Sequence, residues 1–190
     1  MKEYNLMVSD EKKYVYFRIP KVATVSIGMI LKENTNISHE SFESYWNTNW
    51  NTYFKFSIVR NPWDRLLSCF LDKTQKSIGT IWEMEFYKPL SNFSFDQFIE
   101  MLTPEYIGYD GHLKQQVELI DTNKIDYLGR FENINYDLKN ILDILNISVQ
   151  NIPKENTTEH THYHDYYNTK TRNLVYNLYK EDIEAFKYEY

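Results

Sequence analysis

The sequence predicts an α/β fold, a mostly parallel β-sheet flanked by helices, and three observations carry that expectation. Two short runs of aromatic and β-branched residues, 14–19 (YVYFRI) and 54–59 (FKFSIV), read as strands. Each is followed by a turn and then by apolar residues at helical spacing. Strand–turn–helix units in succession favour parallel pairing through crossover helices.

The elements follow in order. The first strand ends at Pro20, which has no N–H to continue a ladder. Ile27, Ile30 and Leu31 then recur at i, i+3 and i+4, the buried face of a helix. Residues 34–53, rich in Asn, Ser, Thr and Trp, show no period and are expected to be irregular. After the second strand, Asn61-Pro62 places an N-cap residue before a proline at the first helical position. Trp63, Leu66, Leu67 and Phe70 line one face of that helix. Phe95, Phe98 and Ile99 predict a short helix, 125–128 (IDYL) a further strand, and Leu138, Ile141, Leu142 and Leu145 another helix. Residues 150–168 read as a loop, and Leu174, Val175, Leu178, Ile183 and Phe186 close the chain as helix.

A length of 190 residues fits one domain, 1–190. The net charge of −6 argues against a non-specific grip on nucleic acid or on an anionic membrane. It leaves room for a phosphorylated ligand, which needs only a few well-placed cations. No apolar run approaches the roughly 20 residues of a membrane span. The N-terminal residues lack the layout of a secretion signal, and a single cysteine, Cys69, agrees with a reducing compartment. The expected location is the cytoplasm. Nothing in the composition sets an oligomeric state.

Two segments carry chemistry. In the first, Pro20-Lys21-Val22-Ala23-Thr24-Val25-Ser26, a strand end turns into a helix start. Successive N–H groups at such a turn form an anion nest, and the helix dipole adds positive potential. Lys21 brings a point charge, and Thr24 and Ser26 bring hydroxyls. An ordinary turn with an exposed lysine explains the same residues equally well. The GxxxxGK[ST] phosphate loop is absent. In the second, Val59-Arg60-Asn61-Pro62-Trp63-Asp64-Arg65-Leu66-Leu67-Ser68, Arg60 ends a parallel strand, where open α/β sheets bind ligands. Ser68 lies two helical turns on. An arginine with a serine hydroxyl suits a terminal phosphate, although Arg60 alone could as well form a salt bridge. Arg65 reads as a surface or salt-bridge residue.

Together these segments resemble the sulfotransferases that use 3′-phosphoadenosine 5′-phosphosulfate (PAPS), in particular the carbohydrate, Golgi-type and bacterial branch. Three further segments are similar to that family, in its order: Gly111–Gln116, Tyr127–Ile134, and 164–167 with 179–188. The resemblance implies a single P-loop-like domain, PAPS as donor and 3′-phosphoadenosine 5′-phosphate (PAP) as product, with no metal. It implies that Lys21, Val22, Ala23, Thr24, Val25 and Ser26 hold the 5′-phosphosulfate, while Arg60 and Ser68 hold the 3′-phosphate. The acceptor is then a hydroxyl on a glycan or small molecule. Catalysis falls to Lys21, on the leaving oxygen, and to a general base, for which His112 stands first and His39, Glu40 and Glu43 are rivals. Two positions depart from the family: Val25 stands where many relatives have threonine, and Lys187 where the terminal motif has glycine.

Other readings remain. A kinase-like phosphotransferase is disfavoured by the missing Lys-Ser/Thr pair, and a degenerate nucleotide-binding module is suggested by Val25 and the small size. His160, His162 and His164 alternate and tempt a zinc reading, but no cysteine or clear fourth ligand accompanies them.

Overall fold

A computed structural model of the chain describes residues 5–75, 92–149 and 161–190. These fall into two compact units, one of residues 1–60 with 116–156 and the other of 61–115 with 157–190.

The first unit is built on a five-stranded sheet: β1 (Leu6–Ser9), β2 (Tyr14–Phe17), β3 (Ser38–Glu40), β4 (Phe54–Val59) and β5 (Tyr127–Arg130), in the order β3-β1-β2-β4-β5. β2 pairs with β4, and β4 with β5, in parallel; β1 pairs antiparallel with both β2 and β3. Four of these five strands therefore run the same way, against β1 alone. The sheet is mixed, with two parallel and two antiparallel pairings, and its parallel part, β2-β4-β5, is the one the strand–turn–helix pattern implies.

Helices cover both faces. Period-two alternation puts Met7, Tyr14, Tyr16 and Phe56 on one face. Tyr16 stacks on Phe56 at 4.9 Å. On this face lies α1 (Thr24–Asn34), with Ile27, Ile30 and Leu31 buried as their spacing predicts. The helix approaches closely enough for Met7 to lie 3.5 Å from where a Gly28 Cβ would sit. Phe17 points to the opposite face, where it meets Phe42 and Tyr45 of α2 (Phe42–Asn47) edge-on at 5.9 and 5.1 Å. Both β3 and α2 fall within 34–53, so the expected irregular stretch contains a strand and a helix. The helix is capped by the Ser41 side chain, which accepts from the Ser44 N–H.

A later helix of this unit, here α6 (Ile134–Ile144), buries Leu138, Ile141 and Leu142. Its Asp137 accepts from the Tyr127 hydroxyl at 2.8 Å and from the Arg130 N–H at 2.7 Å, which fixes the helix on β5. Gly129 has no room for a side chain: a Cβ there would lie 2.4 Å from Ile58 Cδ1 and 2.9 Å from Asp137 Cβ.

The second unit is helical among its described residues. It holds α3 (Pro62–Gln75), α4 (Phe95–Met101), α5 (Pro104–Gly108), α7 (Thr169–Leu178) and α8 (Lys180–Phe186). Asn61 starts α3 as expected, its side-chain oxygen accepting from the Trp63 N–H at 3.1 Å. Trp63, Leu66 and Leu67 pack with Phe98, Ile99, Val175 and Tyr179 into a buried core. The C-terminal helix predicted from one apolar pattern is two, broken at Tyr179. Tyr179 is buried and donates to the Leu113 carbonyl at 2.7 Å.

Candidate active site

The chain leaves β2 and turns at the lysine-bearing segment. Lys21 and Ala23 both sit in the left-handed region, at φ 72° and 61°. For residues with a Cβ that conformation costs roughly 1–2 kcal/mol each, so the surrounding structure must hold it. Val22, fully buried between them, is the anchor. Ala23 is the N-cap of α1, and the first bond of the helix runs from the Ile27 N–H to the Ala23 carbonyl at 3.0 Å. The N–H groups of Thr24 and Val25 precede that first bond, in the opening turn of the helix. A left-handed residue on either side of Val22, followed by the start of an 11-residue helix, is the kind of backbone turn whose amides can receive an anion.

The side chains of this turn divide by role. The Thr24 hydroxyl donates to the Ile19 carbonyl and pairs with the Tyr16 hydroxyl at 3.3 Å. It ties the turn to β2. Burial pushes the Tyr16 hydroxyl up to about 12, so it is un-ionised at neutral pH. Ser26 is buried, whereas Val25 is 54% exposed.

Arg60 leaves the end of β4 and comes to the same turn. One Nη donates to the Lys21 carbonyl at 3.0 Å, and the guanidinium lies 4.0 Å from the centre of the Phe131 ring. Its side chain is 6% exposed. The backbone of Arg60 is gripped by Gln116, which is fully buried. Gln116 Oε1 accepts from the Arg60 N–H at 2.9 Å, and Gln116 Nε2 donates to the Arg60 carbonyl at 2.9 Å. A side-chain amide thus completes the hydrogen bonding of the strand end where β4 stops.

The lysine segment and Arg60 therefore converge at the carboxyl ends of two adjacent parallel strands, β2 and β4. An amide turn with a lysine at one point and an arginine beside it are groups able to receive anionic oxygens. Phe131 and Gln116, absent from the sequence-derived site, set the position of the arginine.

Ser68 and His112 belong to the second unit. Ser68 is buried in α3, two turns after Pro62. His112 Nδ1 lies 2.9 Å from Asp110 Oδ1, and its N–H donates to the same oxygen at 3.1 Å. A carboxylate only accepts, so a neutral His112 making this contact would carry its proton on Nδ1 and present Nε2 as the acceptor nitrogen, the tautomer a general base needs. Arg65, read from the sequence as a surface or salt-bridge residue, is 1% exposed and so does not lie at the surface. It donates to the carbonyls of Lys114 at 2.8 Å and Gly111 at 3.3 Å, so it clamps the loop that carries His112. Only its place in the second motif hinted at such a role.

The rival bases lie in the first unit. His39 and Glu40 are neighbours on β3 and point to opposite faces of the sheet. Burial, then the charges of Arg18 and Lys32, lower the His39 pKa and keep it neutral at pH 7. Glu43 is in the first turn of α2.

Among the described residues, no group of three or more His, Cys, Asp or Glu is placed to hold a metal ion, and His160 lies outside them. No helix among the described residues is long and apolar enough to cross a membrane.

No curated protein and no solved structure matches the chain. A family model does: that of the sulfotransferase family, over residues 4–189. Nearly the whole sequence is included in that match, and the chain belongs to the sulfotransferase family.

Proposed function

We propose that the chain, acting as one domain over 1–190, transfers a sulfuryl group from PAPS to a hydroxyl of a carbohydrate or similar acceptor. The observation that supports this most is the Arg60 guanidinium resting against the Lys21 carbonyl, which puts a phosphate clamp beside a phosphate cradle. In the proposed reaction the bond between sulfur and the 5′-phosphate oxygen breaks as a bond from the acceptor oxygen to sulfur forms. PAP leaves with the charge, and the acceptor proton passes to a base. Like phosphoryl transfer, this needs positioning and charge stabilisation more than covalent help.

The roles follow. Amides of Val22–Ser26 hold the 5′-phosphosulfate, and the Lys21 ammonium stabilises charge on the leaving oxygen. Arg60 and Ser68 hold the 3′-phosphate. His112, oriented by Asp110, takes the proton; such bases typically contribute about 10²–10⁴-fold. The lone cysteine, buried Cys69, suits a cytoplasmic location. No metal takes part in this scheme.

The test is transfer of labelled sulfate from PAPS to a panel of glycans and phenols. Turnover that disappears in Lys21→Ala supports the reading. Tight binding of ATP with indifference to PAP points to a phosphotransferase, and PAP binding without turnover across the panel points to a degenerate module.

A further inference from the structure

We propose that an open cavity beside β3 and α2 is the acceptor subsite and takes an uncharged, hydroxyl-rich oligosaccharide; this rests on the sulfotransferase reading above. The cavity encloses about 620 Å³, within the roughly 300–1,000 Å³ of small-molecule sites. It belongs entirely to the first unit.

Its walls have the chemistry of a sugar site. Asn47, Thr48 and Asn49 line one side with short, exposed polar groups. Half-buried Tyr53 adds aromatic surface, on which the apolar face of a pyranose can pack, and the edge of the 8% exposed Trp50 lies beside it. The Tyr53 hydroxyl is held by Asp10 Oδ1 at 2.6 Å, which fixes that ring. The charged groups lining the cavity are all carboxylates, Asp10, Glu40 and Glu43. Carboxylates accept hydrogen bonds from hydroxyls and amides but repel sulfate and uronate groups. Lys13, alongside, donates to the Tyr53 hydroxyl at 3.3 Å.

Position supports the same occupant. Glu40 pairs with Leu6, and Leu6 with Phe17. Two strand spacings, about 10 Å, therefore separate Glu40 from the last residue of β2, four residues before Lys21. The far end of the cavity reaches Tyr53, next to Phe54, which pairs with Tyr14 at the start of β2. The lining, carried by β1 and β3 and by the segment after α2, thus extends from the level of the end of β2 to the level of its start, about 10 Å at 3.3 Å per residue. That span suits two or more linked sugar rings better than a single small alcohol.

The experiment is saturation-transfer NMR on the full chain. The neutral probes are chitotriose and cellotriose, the anionic probe a heparosan tetrasaccharide, and PAP is titrated in parallel by calorimetry. The neutral probes should bind at least about tenfold more tightly than the anionic one. Thr48→Trp, a filling change at an exposed position, should abolish saccharide signals and leave the PAP isotherm unchanged. Glu40→Gln with Glu43→Gln should narrow the gap between neutral and anionic probes. Equal or tighter binding of the tetrasaccharide, silence from both neutral probes, or indifference to Thr48→Trp each overturns the proposal. If PAP also fails to bind, the sulfotransferase reading falls with it; if PAP binds and the sugars do not, only the subsite is wrong.

Discussion

Replacing Gln116 with alanine tests whether Arg60, the proposed phosphate clamp, is held from behind. The glutamine amide is fully buried and makes two 2.9 Å hydrogen bonds to the backbone of Arg60. Each such bond contributes about 0.5–1.5 kcal/mol net, and a buried backbone group left unpaired costs about 1–3 kcal/mol. Two bonds lost, with two groups stranded in a site closed to water, give about 2–5 kcal/mol of destabilisation. Urea unfolding measures that directly. Arg60 should also lose its fixed direction, so PAP affinity measured on the folded fraction should fall with it. Gln116→Glu sharpens the comparison, because it keeps an acceptor for the Arg60 N–H, loses the donor and buries a charge. A cost below about 0.5 kcal/mol for Gln116→Ala, with PAP affinity intact, would refute the idea that this amide positions the arginine.

Four further outcomes are expected. Gly129→Ala forces a methyl to 2.4 Å from Ile58 and 2.9 Å from Asp137, and should cost about 1–3 kcal/mol of stability in urea. Lys187 holds the left-handed conformation at the end of α8, where both its own N–H and that of Tyr188 turn back to the Ile183 carbonyl. Lys187→Gly should stabilise by about 1 kcal/mol, read as a raised thermal midpoint, which also explains why the family motif has glycine there. Val25→Thr, at an exposed position in the cradle, should tighten PAP binding by about 0.5–1.5 kcal/mol in calorimetry. The raised Tyr16 pKa means that the un-ionised form is favoured in the fold. Its stabilising share is fully present below the unfolded value of 10.0 and is lost as pH rises towards about 12, so stability against urea should decline across that window.

The parts of the fold legible in the sequence were those whose local pattern agrees with their environment. Residues 54–59 and the start of α3 at Pro62 stand where the apolar run and the Asn-Pro signal put them. β1 and β3 were not legible. Ser38-His39-Glu40 has little strand propensity and becomes a strand only because β1 supplies partners. The fifth strand lies two residues beyond its expected position, at Tyr127–Arg130. Gly129 and Arg130 argue locally against a strand, yet the close approach of Ile58 and Asp137 demands the glycine.

The site divides in the same way. The convergence of the lysine turn and the arginine was foreseeable because each sits at a strand end within one short motif. Gln116 is 56 residues from Arg60, and Arg65 is buried against a loop 46 residues away. Neither relationship leaves a local trace. Thr24 was expected to offer a hydroxyl to the donor, but that hydroxyl is bonded to the Ile19 carbonyl and the Tyr16 hydroxyl, a use that only the folded turn reveals.

The central proposal, one nucleotide held by its two ends, is tested most directly by comparing PAP with AMP, which lacks the 3′-phosphate, on the parent protein and on Arg60→Ala. PAP should bind the parent more tightly than AMP, and Arg60→Ala should remove about 1.5–3 kcal/mol of that preference, the range for hydrogen bonds to charged groups. Equal affinities for PAP and AMP on the parent, or a preference for PAP that survives in Arg60→Ala, would contradict it.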